Sequence, residues 1–209
     1  DYIIVPIDLS QVELRMTAHY SQDKILMHAY THEEDIHTRT AAEIFDLRLD
    51  EVTKDQRTIA KPINFGIIYG IGPARLAETL DISVRDAKKE GYVRNYFGRV
   101  RHLEHLKDAE IEEWRRERGY RQAVNFVIQS SSADMFKIIL IRCHNLLIGK
   151  LSKMVMNIHD ECVFYIHKDE IPIILEIKKA FEDWNFSVPI LAEVSWSDVS
   201  WGDKIPLEL

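Results

Sequence analysis

The sequence contains few cysteines and no long apolar run. Only Cys143 and Cys162 occur in 209 residues, which is too few for a disulfide framework or for a zinc site built from cysteine alone. Nothing approaches about 18 uninterrupted apolar residues, and residues 1–10 lack the basic start of a signal peptide. We therefore expect no membrane contact and a reducing cytoplasm. Because the chain begins directly on an apolar stretch, we also expect it to be a fragment of a longer protein.

The chain also lacks the basic excess that nucleic-acid-binding proteins usually carry. Its 34 acidic residues outnumber its 27 basic ones, and the net charge is −7. Charge alone therefore argues against binding to nucleic acid. Apolar residues are plentiful, however: 46% of the chain is hydrophobic and 10% is aromatic. This composition excludes a disordered chain and allows one domain or two closely joined subdomains.

Strand and helix patterns alternate along the chain and predict an α+β fold. An apolar run at residues 2–7 predicts a strand, and residues 154–166 predict two strands around a tight turn. Pro62 predicts a kink or break within a helix over residues 52–69. A last strand is predicted at 190–194. Further helices are predicted after Ser10 and at 31–45, 74–80, 83–90, 108–118, 122–148 and 170–184.

Two acidic positions have the character of metal ligands. Asp8 follows the first strand, and Asp160 and Glu161 occupy the turn between the two later strands. Magnesium prefers carboxylate oxygens, and two ions clamped between Asp8 and Asp160 would suit phosphoryl displacement. The alternative is structural: Asp is common at strand-to-helix corners, the later pair could be an acidic turn, and Glu13 could belong to a capping box that starts at Ser10.

Four residues at steps of four form a stripe of cations and aromatic rings: Arg57, Lys61, Phe65 and Tyr69. On a helix such steps keep side chains on one face, which drifts by about 40° per step. The cations would meet the phosphates of a nucleoside triphosphate, and the rings would meet its sugar and base. An ordinary amphipathic helix, with its aromatic residues in the core, remains an alternative.

Three motifs in this order resemble those of family A DNA polymerases, the DNA polymerase I type. They are residues 8–15 (DLSQVELR), residues 57–70 (RTIAKPINFGIIYG) and residues 158–161 (IHDE). Residues 35–38 (DIHT), 91–93 (GYV) and 98–101 (GRVR) are similar to further family segments. The resemblance covers nearly the whole chain.

The resemblance implies a palm built on an antiparallel sheet, with a helical fingers insertion and no thumb. The palm would comprise residues 1–46 and 124–209, and the fingers with their connecting helices residues 47–123. It implies two Mg²⁺ ions held by Asp8, the carbonyl of Leu9, and Asp160, with Glu161 in a supporting catalytic role. Lys61 would be the general acid for pyrophosphate.

The resemblance also implies the partners, which are primer–template DNA and a dNTP bound by a monomer. Glu13 would exclude a 2′-hydroxyl. Residues that would contact the incoming nucleotide are Gln11, Glu13, His37, Arg57, Lys61, Phe65 and Tyr69. Residues that would contact DNA are Arg121, Asn125, Gln129 and His159.

Arg121, Asn125 and Gln129 are again spaced by four, so one helix face could reach the minor-groove acceptors that every base pair presents. Arginine and aromatic residues between Trp114 and Arg121 could meet phosphates. Ordinary helix polarity and a solvated helix face are the respective alternatives.

Some positions depart from the family pattern. Leu9 replaces a usual Tyr, Val127 and Ser130 replace Pro and Gly, and Asn157 replaces Gln. Pro62 is unusual in the fingers helix, and residues 80–91 are shorter than in the family. Two rivals stay open: a single-subunit RNA polymerase, and a truncated DNA-binding fragment without catalytic activity.

Overall fold

The computed structural model describes residues 1–32, 34–69 and 87–208, except for the side chains of residues 65 and 67–69. These residues form two compact units. The first combines Asp1–Val12 with Ser132–Leu209, and the second is Glu13–Ser131. The helix predicted at 74–80 and most of the helix predicted at 83–90 lie outside the described residues.

The helices and strands are named in chain order. They are β1 (Tyr2–Leu9), α1 (Val12–Ser21), α2 (Lys24–Thr31), α3 (Ile36–Phe45), α4 (Lys54–Tyr69), β2 (Tyr92–Arg94), β3 (Val100–His102), α5 (Glu113–Leu146), β4 (Lys153–Ile158), β5 (Glu161–His167), α6 (Ile173–Glu182), β6 (Ala192–Trp196) and β7 (Ile205–Pro206). Short 3₁₀ turns at Leu49–Glu51, Glu104–Lys107, Lys168–Glu170 and Trp201–Asp203 connect some of them.

The first unit is built on a five-stranded antiparallel sheet with the order β4-β5-β1-β6-β7. The two central strands carry a continuous apolar run, and Val5, Ile7, Phe164 and Ile166 are all fully buried. Helix α6 is amphipathic and buries Ile174, Ile177 and Phe181. The ring of Phe136 on α5 meets that of Phe181 edge-on at 6.3 Å between centroids. This mixture of helices and antiparallel sheet confirms the predicted α+β class.

The second unit packs around a hairpin and the first half of α5. Its core cluster contains Ala87, Val93, Leu103, Leu106, Ala123 and Val127. Strands β2 and β3 pair across a turn in which the side chain of Asn95 accepts hydrogen bonds from the backbone N–H groups of Phe97 and Arg99, at 3.0 and 2.8 Å. This hairpin was missed in the sequence patterns because its strands have only three residues each.

The structure differs from the predictions at two helices. Residues 108–118 and 122–148 were predicted as separate helices, but α5 runs unbroken from Glu113 to Leu146 because it contains no proline. Gly119, in its interior, is buried where an added Cβ would lie 2.5 Å from the side chain of Leu106. Helix α4 continues through Pro62, so the chain does not break there, and a kink at Pro62 stays a prediction.

Helix α5 is also the one candidate for a membrane span within the described ranges. An 18-residue window of it has a mean hydropathy of 1.3. Half of that window is buried inside the protein, which is what the central helix of a folded domain requires. The length and composition of α5 are therefore only weak evidence for a membrane span.

Candidate active site

Strand pairing in the first unit brings carboxylates together at one end of the sheet. Asp8 on β1 lies opposite Glu161 on β5 and opposite Glu193 on β6. Residues directly opposite each other on antiparallel strands point to the same face, and like charges there oppose one another. Asp160 precedes β5 in the turn, and its carbonyl accepts a hydrogen bond from the backbone N–H of Leu9 at 3.2 Å. The two predicted metal-binding segments are thus neighbours.

The pKa of the Asp8 carboxylate is raised by its burial and by these acidic neighbours. Burial raises its pKa to about 6, with further contributions from Asp160, Glu161 and Glu193 that Lys204 partly opposes. Its Oδ1 atom is buried and has no hydrogen-bond partner among the residues that the structure describes. A buried carboxylate oxygen without a donor is costly unless a cation or a proton satisfies it. The residues present therefore fit a divalent cation.

Glu161 differs from Asp8 because both of its oxygens are already occupied. The indole N–H of Trp201 donates to Oε1 at 2.6 Å, and the ammonium group of Lys204 forms an ion pair with Oε2. Neither residue was among the sequence-predicted site residues.

Within the described part of the chain, no group of three or more His, Cys, Asp or Glu side chains is arranged to hold a metal ion.

The turns beside these carboxylates contain left-handed residues. Gln11 has φ of 53° and His159 has φ of 54°, both in a region that non-glycine residues rarely adopt. Such conformations persist where the surrounding structure fixes them, and they cluster at functional sites. Leu9 is 2% exposed and completes this end of β1.

In the second unit, Arg57 forms an ion pair with Asp35. Asp35 caps α3, because its Oδ1 accepts the backbone N–H groups of His37 and Thr38 at 2.8 and 3.1 Å. Its Oδ2 accepts Arg57 Nε–H at 2.7 Å. Burial alone would raise the pKa of Asp35, but these hydrogen bonds and the Arg57 charge lower it. The sequence pattern predicted Arg57 as a phosphate contact but did not indicate its ion pair with Asp35.

His37 lies behind that ion pair, inside the unit. Its side chain is 2% exposed, and its Nδ1 is 2.9 Å from the amide nitrogen of Asn64 on α4. Thr40 donates to the other end of the same amide at 2.9 Å. Burial lowers the pKa of His37, and the nearby Arg57 and Lys61 lower it further, although Asp35 opposes them. This network joins α3 to α4, and a neutral imidazole is favoured within it.

The other predicted nucleotide contacts are only partly described. Lys61 is exposed on α4, four residues after Arg57 on the unbroken helix. The side chains of Phe65 and Tyr69 lie outside the described residues. Glu13 is half-buried on α1. Two residues later, Arg15 is buried with its guanidinium 4.6 Å from the ring centroid of Tyr30, a cation–π contact that the sequence did not reveal.

Helix α5 presents the predicted DNA-contacting stripe on one face. Arg121 and Asn125 are half-buried, Gln129 is exposed, and the continuous helix keeps their spacing of four in register. Arg121 lies 3.8 Å from Glu117, a loose ion pair that a phosphate could displace. Near the start of α5 is an open cavity of about 470 Å³, lined by His105, Asp108, Ile111, Trp114, Arg115, Arg118 and Gln122.

Comparison with known proteins gives the class to which this fold and these motifs belong. The family model described as DNA polymerase family A matches residues 1–89 and 83–203. The chain therefore belongs to DNA polymerase family A, as the motifs predicted. The two matched ranges overlap at 83–89.

Individual relatives agree with this assignment. The chain is 34% identical over 227 residues to DNA polymerase I of Streptococcus pneumoniae, covering 92% of this chain and 25% of that protein. It is 33% identical over 231 residues to DNA polymerase I of Bacillus subtilis, covering 97% and 26%. The chain thus spans about a quarter of these relatives.

A solved structure also shares the fold. The polymerase domain of Pol1 from M. smegmatis, in complex with DNA primer–template and dNTP, matches with a TM-score of 0.83 and 27% identity. The match covers 93% of this chain and 39% of that one.

Proposed function

We propose that this chain is the palm-and-fingers part of a template-directed DNA polymerase that joins dNTPs to a primer 3′-hydroxyl with two Mg²⁺ ions. Family membership supports the reaction class, and the M. smegmatis neighbour was solved with primer–template DNA and dNTP. The observation that carries the proposal is the crowding of Asp8, Asp160 and Glu161 at one end of the sheet, where no described residue donates to the buried Asp8 Oδ1.

Asp8 and Asp160 would hold the cations, assisted by the Leu9 carbonyl. When bound, the ions would supply positive charge to the attacking oxygen and to the leaving phosphates. A depressed Asp8 pKa would follow cation binding, because a positive charge favours the ionised carboxylate. Burial and the neighbouring carboxylates raise the pKa of Asp8, and a bound cation would oppose both effects.

In the proposed reaction, the primer 3′-hydroxyl loses its proton to solvent and its oxygen forms a bond to the α-phosphorus of the dNTP, while the bond from that phosphorus to pyrophosphate breaks. Arg57 and Lys61 would bind the triphosphate, and Lys61 would give a proton to the leaving pyrophosphate. Arg57 must exchange its 2.7 Å contact with Asp35 for a phosphate, or share it. His37 would join them only if its buried ring turned outward.

The remaining contacts belong to the same proposal. Gln11 and Glu13 would contact the nucleotide sugar, with Glu13 excluding a 2′-hydroxyl, and Phe65 and Tyr69 would contact the sugar, base and template position. Arg121, Asn125, Gln129 and His159 would contact DNA. We place the palm at residues 1–46 and 124–209 and the fingers at 47–123, and propose a monomer in the bacterial cytoplasm.

Primer extension tests the proposal. Wild type should extend a primer with dNTPs only when magnesium is present, and Asp160→Ala should be inactive while retaining its thermal transition. A parallel assay with rNTPs separates the RNA polymerase alternative, since Glu13→Ala should increase rNTP use without abolishing dNTP use. Extension by Asp160→Ala at the wild-type rate would disprove the assignment.

A second candidate follows from length. Because the chain spans about a quarter of its relatives, it could bind DNA without extending a primer. A longer chain that includes counterparts of the relatives' unmatched segments would then extend primers. If the longer chain is equally inactive with magnesium and dNTPs, the polymerase proposal fails for the parent as well.

A further inference from the structure

The segment after β6 returns to the acidic end of the sheet, where two of its side chains bind the carboxylate of Glu161. Trp201 lies in the 3₁₀ turn Trp201–Asp203, and Lys204 follows it immediately before β7. The indole N–H of Trp201 reaches Glu161 Oε1 at 2.6 Å, and the Lys204 ammonium group pairs with Oε2. The same ammonium group lies 5.0 Å from the Trp201 ring centroid, so the three side chains contact one another.

Backbone contacts hold this segment in place. Trp196 and Ser195 pair with Ile205 and Pro206 across β6 and β7. Upstream, Ser197 Oγ accepts the backbone N–H groups of Val199 and Ser200 at 3.1 and 3.3 Å. Trp201 and Lys204 are therefore presented to Glu161 from an anchored loop.

The contacts divide the carboxylates into two kinds. The Glu161 side chain is only 11% exposed, and a donor or cation satisfies each of its oxygens. Asp8, its direct partner across the strands, has a buried oxygen to which nothing in the described part of the chain donates. A cation entering this site would find Asp8 free to ligate and Glu161 engaged.

We propose that Trp201 and Lys204 are positioning residues that hold Glu161 out of the metal coordination sphere, so that Asp8 and Asp160 alone supply the side-chain ligands. Lys204 also places one positive charge among the carboxylates at this end of the sheet, which offsets their mutual repulsion before a cation binds. The inference rests on the proposed function, because it concerns the same metal site.

Removing the lysine should release a ligand. In Lys204→Met, Glu161 loses its ion pair but keeps the Trp201 donor, so its Oε2 becomes available to a cation. Metal affinity should rise several-fold, and the gain should vanish in the double variant Lys204→Met/Glu161→Gln. Lys204→Arg preserves the charge and should behave as wild type. Lys178→Met is a matched control, since Lys178 pairs with Glu182 at 2.9 Å elsewhere in the same unit.

The experiment is a Mn²⁺ titration of the chain without DNA or nucleotide. Binding is measured by calorimetry and by the electron spin resonance signal of free Mn²⁺. We expect Asp8→Asn and Asp160→Asn each to weaken binding by roughly tenfold or more, which is typical when a metal ligand or its immediate support is lost. Glu161→Gln alone removes a nearby negative charge but no ligand, so it should weaken binding much less than either Asp substitution does. Circular dichroism melts would verify that each variant is folded.

The outcomes separate the two proposals. If the Asp variants bind Mn²⁺ as wild type does, the metal site of the proposed function is wrong. If they weaken binding and Glu161→Gln weakens it equally, the proposed function stands and Glu161 is a ligand, which overturns the positioning role. Lys204→Met without a Glu161-dependent gain also overturns it. Should Lys204→Met fail to fold, Trp201→Phe provides the same comparison, and the Glu161→Gln result remains decisive by itself.

Discussion

Arg57 on α4 donates to Oδ2 of Asp35 at 2.7 Å, while Oδ1 of the same carboxylate caps α3. One acidic residue thus fixes the start of one helix and restrains the cation proposed to bind a triphosphate on another. The side chains remain 39% and 36% exposed, so the pair can open to a competing anion at modest cost.

The Asp35–Arg57 pair predicts separate effects on stability and on nucleotide binding. Asp35→Asn keeps a capping oxygen but loses the charge that restrains Arg57, so we expect tighter dNTP binding with little loss of stability. Asp35→Ala loses both and should lower the free energy of unfolding by about 1 to 2 kcal/mol. Fluorescent-nucleotide titrations and urea melts would measure the two effects.

The second N-cap aspartate supplies the control. Asp23 caps α2 by accepting the backbone N–H groups of Ile25 and Leu26 at 2.9 and 3.0 Å. Asp23→Ala should therefore cost about the same capping energy, roughly 1 kcal/mol, without changing nucleotide affinity. An Asp35→Asn variant that binds dNTP more weakly than wild type would show that Asp35 orients Arg57 instead of competing for it.

Asp8 predicts a pH dependence of stability in the metal-free protein. Its folded-state pKa is about 6 against an ordinary value of 3.8, so the folded protein retains the proton longer than the unfolded chain. The contribution of Asp8 to stability is therefore fully present below pH 4 and is lost as the pH rises through 6. Asp8→Asn should be more stable than wild type above pH 6, and the difference should shrink toward pH 4.

Thermal melts between pH 4 and 8, in chelator and then in magnesium, would measure this. Magnesium should stabilise wild type at pH 8 more than at pH 5, because protons compete for the same carboxylate. It should not stabilise Asp8→Asn in this way. Equal pH profiles for the two proteins in chelator would mean that Asp8 does not retain its proton.

Much of the acidic site could be predicted because it depends on local patterns. Asp8 ends an apolar run and Asp160 lies in a turn between two others, and the antiparallel register β1–β5 brings these segments together. Trp201 and Lys204 could not be predicted in the same way, because 40 or more residues separate each from Glu161. Only the pairing of β6 with β7, which the sequence pattern did not indicate, carries them there.

Helix α5 shows the opposite limitation. Its polar first half and apolar second half suggested two helices. A change in polarity does not end a helix, however, when no helix-breaking residue interrupts it. Val127 and Ser130, which stand where the family usually has Pro and Gly, remove the residues that interrupt helices. A long helix over 122–148, which carries Asn125 and Gln129, was predicted, but its continuation back to Glu113 was not.

Gly119 yields a prediction about packing within α5. Alanine has a helix propensity about 1 kcal/mol better than glycine, so substitution in a helix interior usually stabilises. Here the new Cβ would lie 2.5 Å from Leu106 Cδ2 and 2.9 Å from His105 Nε2. Overpacking of this kind costs about 1–3 kcal/mol, so Gly119→Ala should destabilise on balance. Urea melts of Gly119→Ala, Leu106→Ala and the double variant should be non-additive, since shortening Leu106 removes the closest clash.

The stripe of Arg121, Asn125 and Gln129 on α5 predicts a uniform loss of DNA affinity. Arg121→Ala, Asn125→Ala and Gln129→Ala should each weaken primer–template binding without regard to sequence, because minor-groove acceptors occur on every base pair. Arg121→Ala should also reduce the salt dependence of binding, since it removes a cation that can meet phosphate. Asn145→Ala, an exposed amide near the end of the same helix, is the matched control. Fluorescence anisotropy with duplexes of different sequence would measure these effects. A loss confined to particular base pairs would mean that the stripe reads sequence, which contradicts a role in sequence-independent binding.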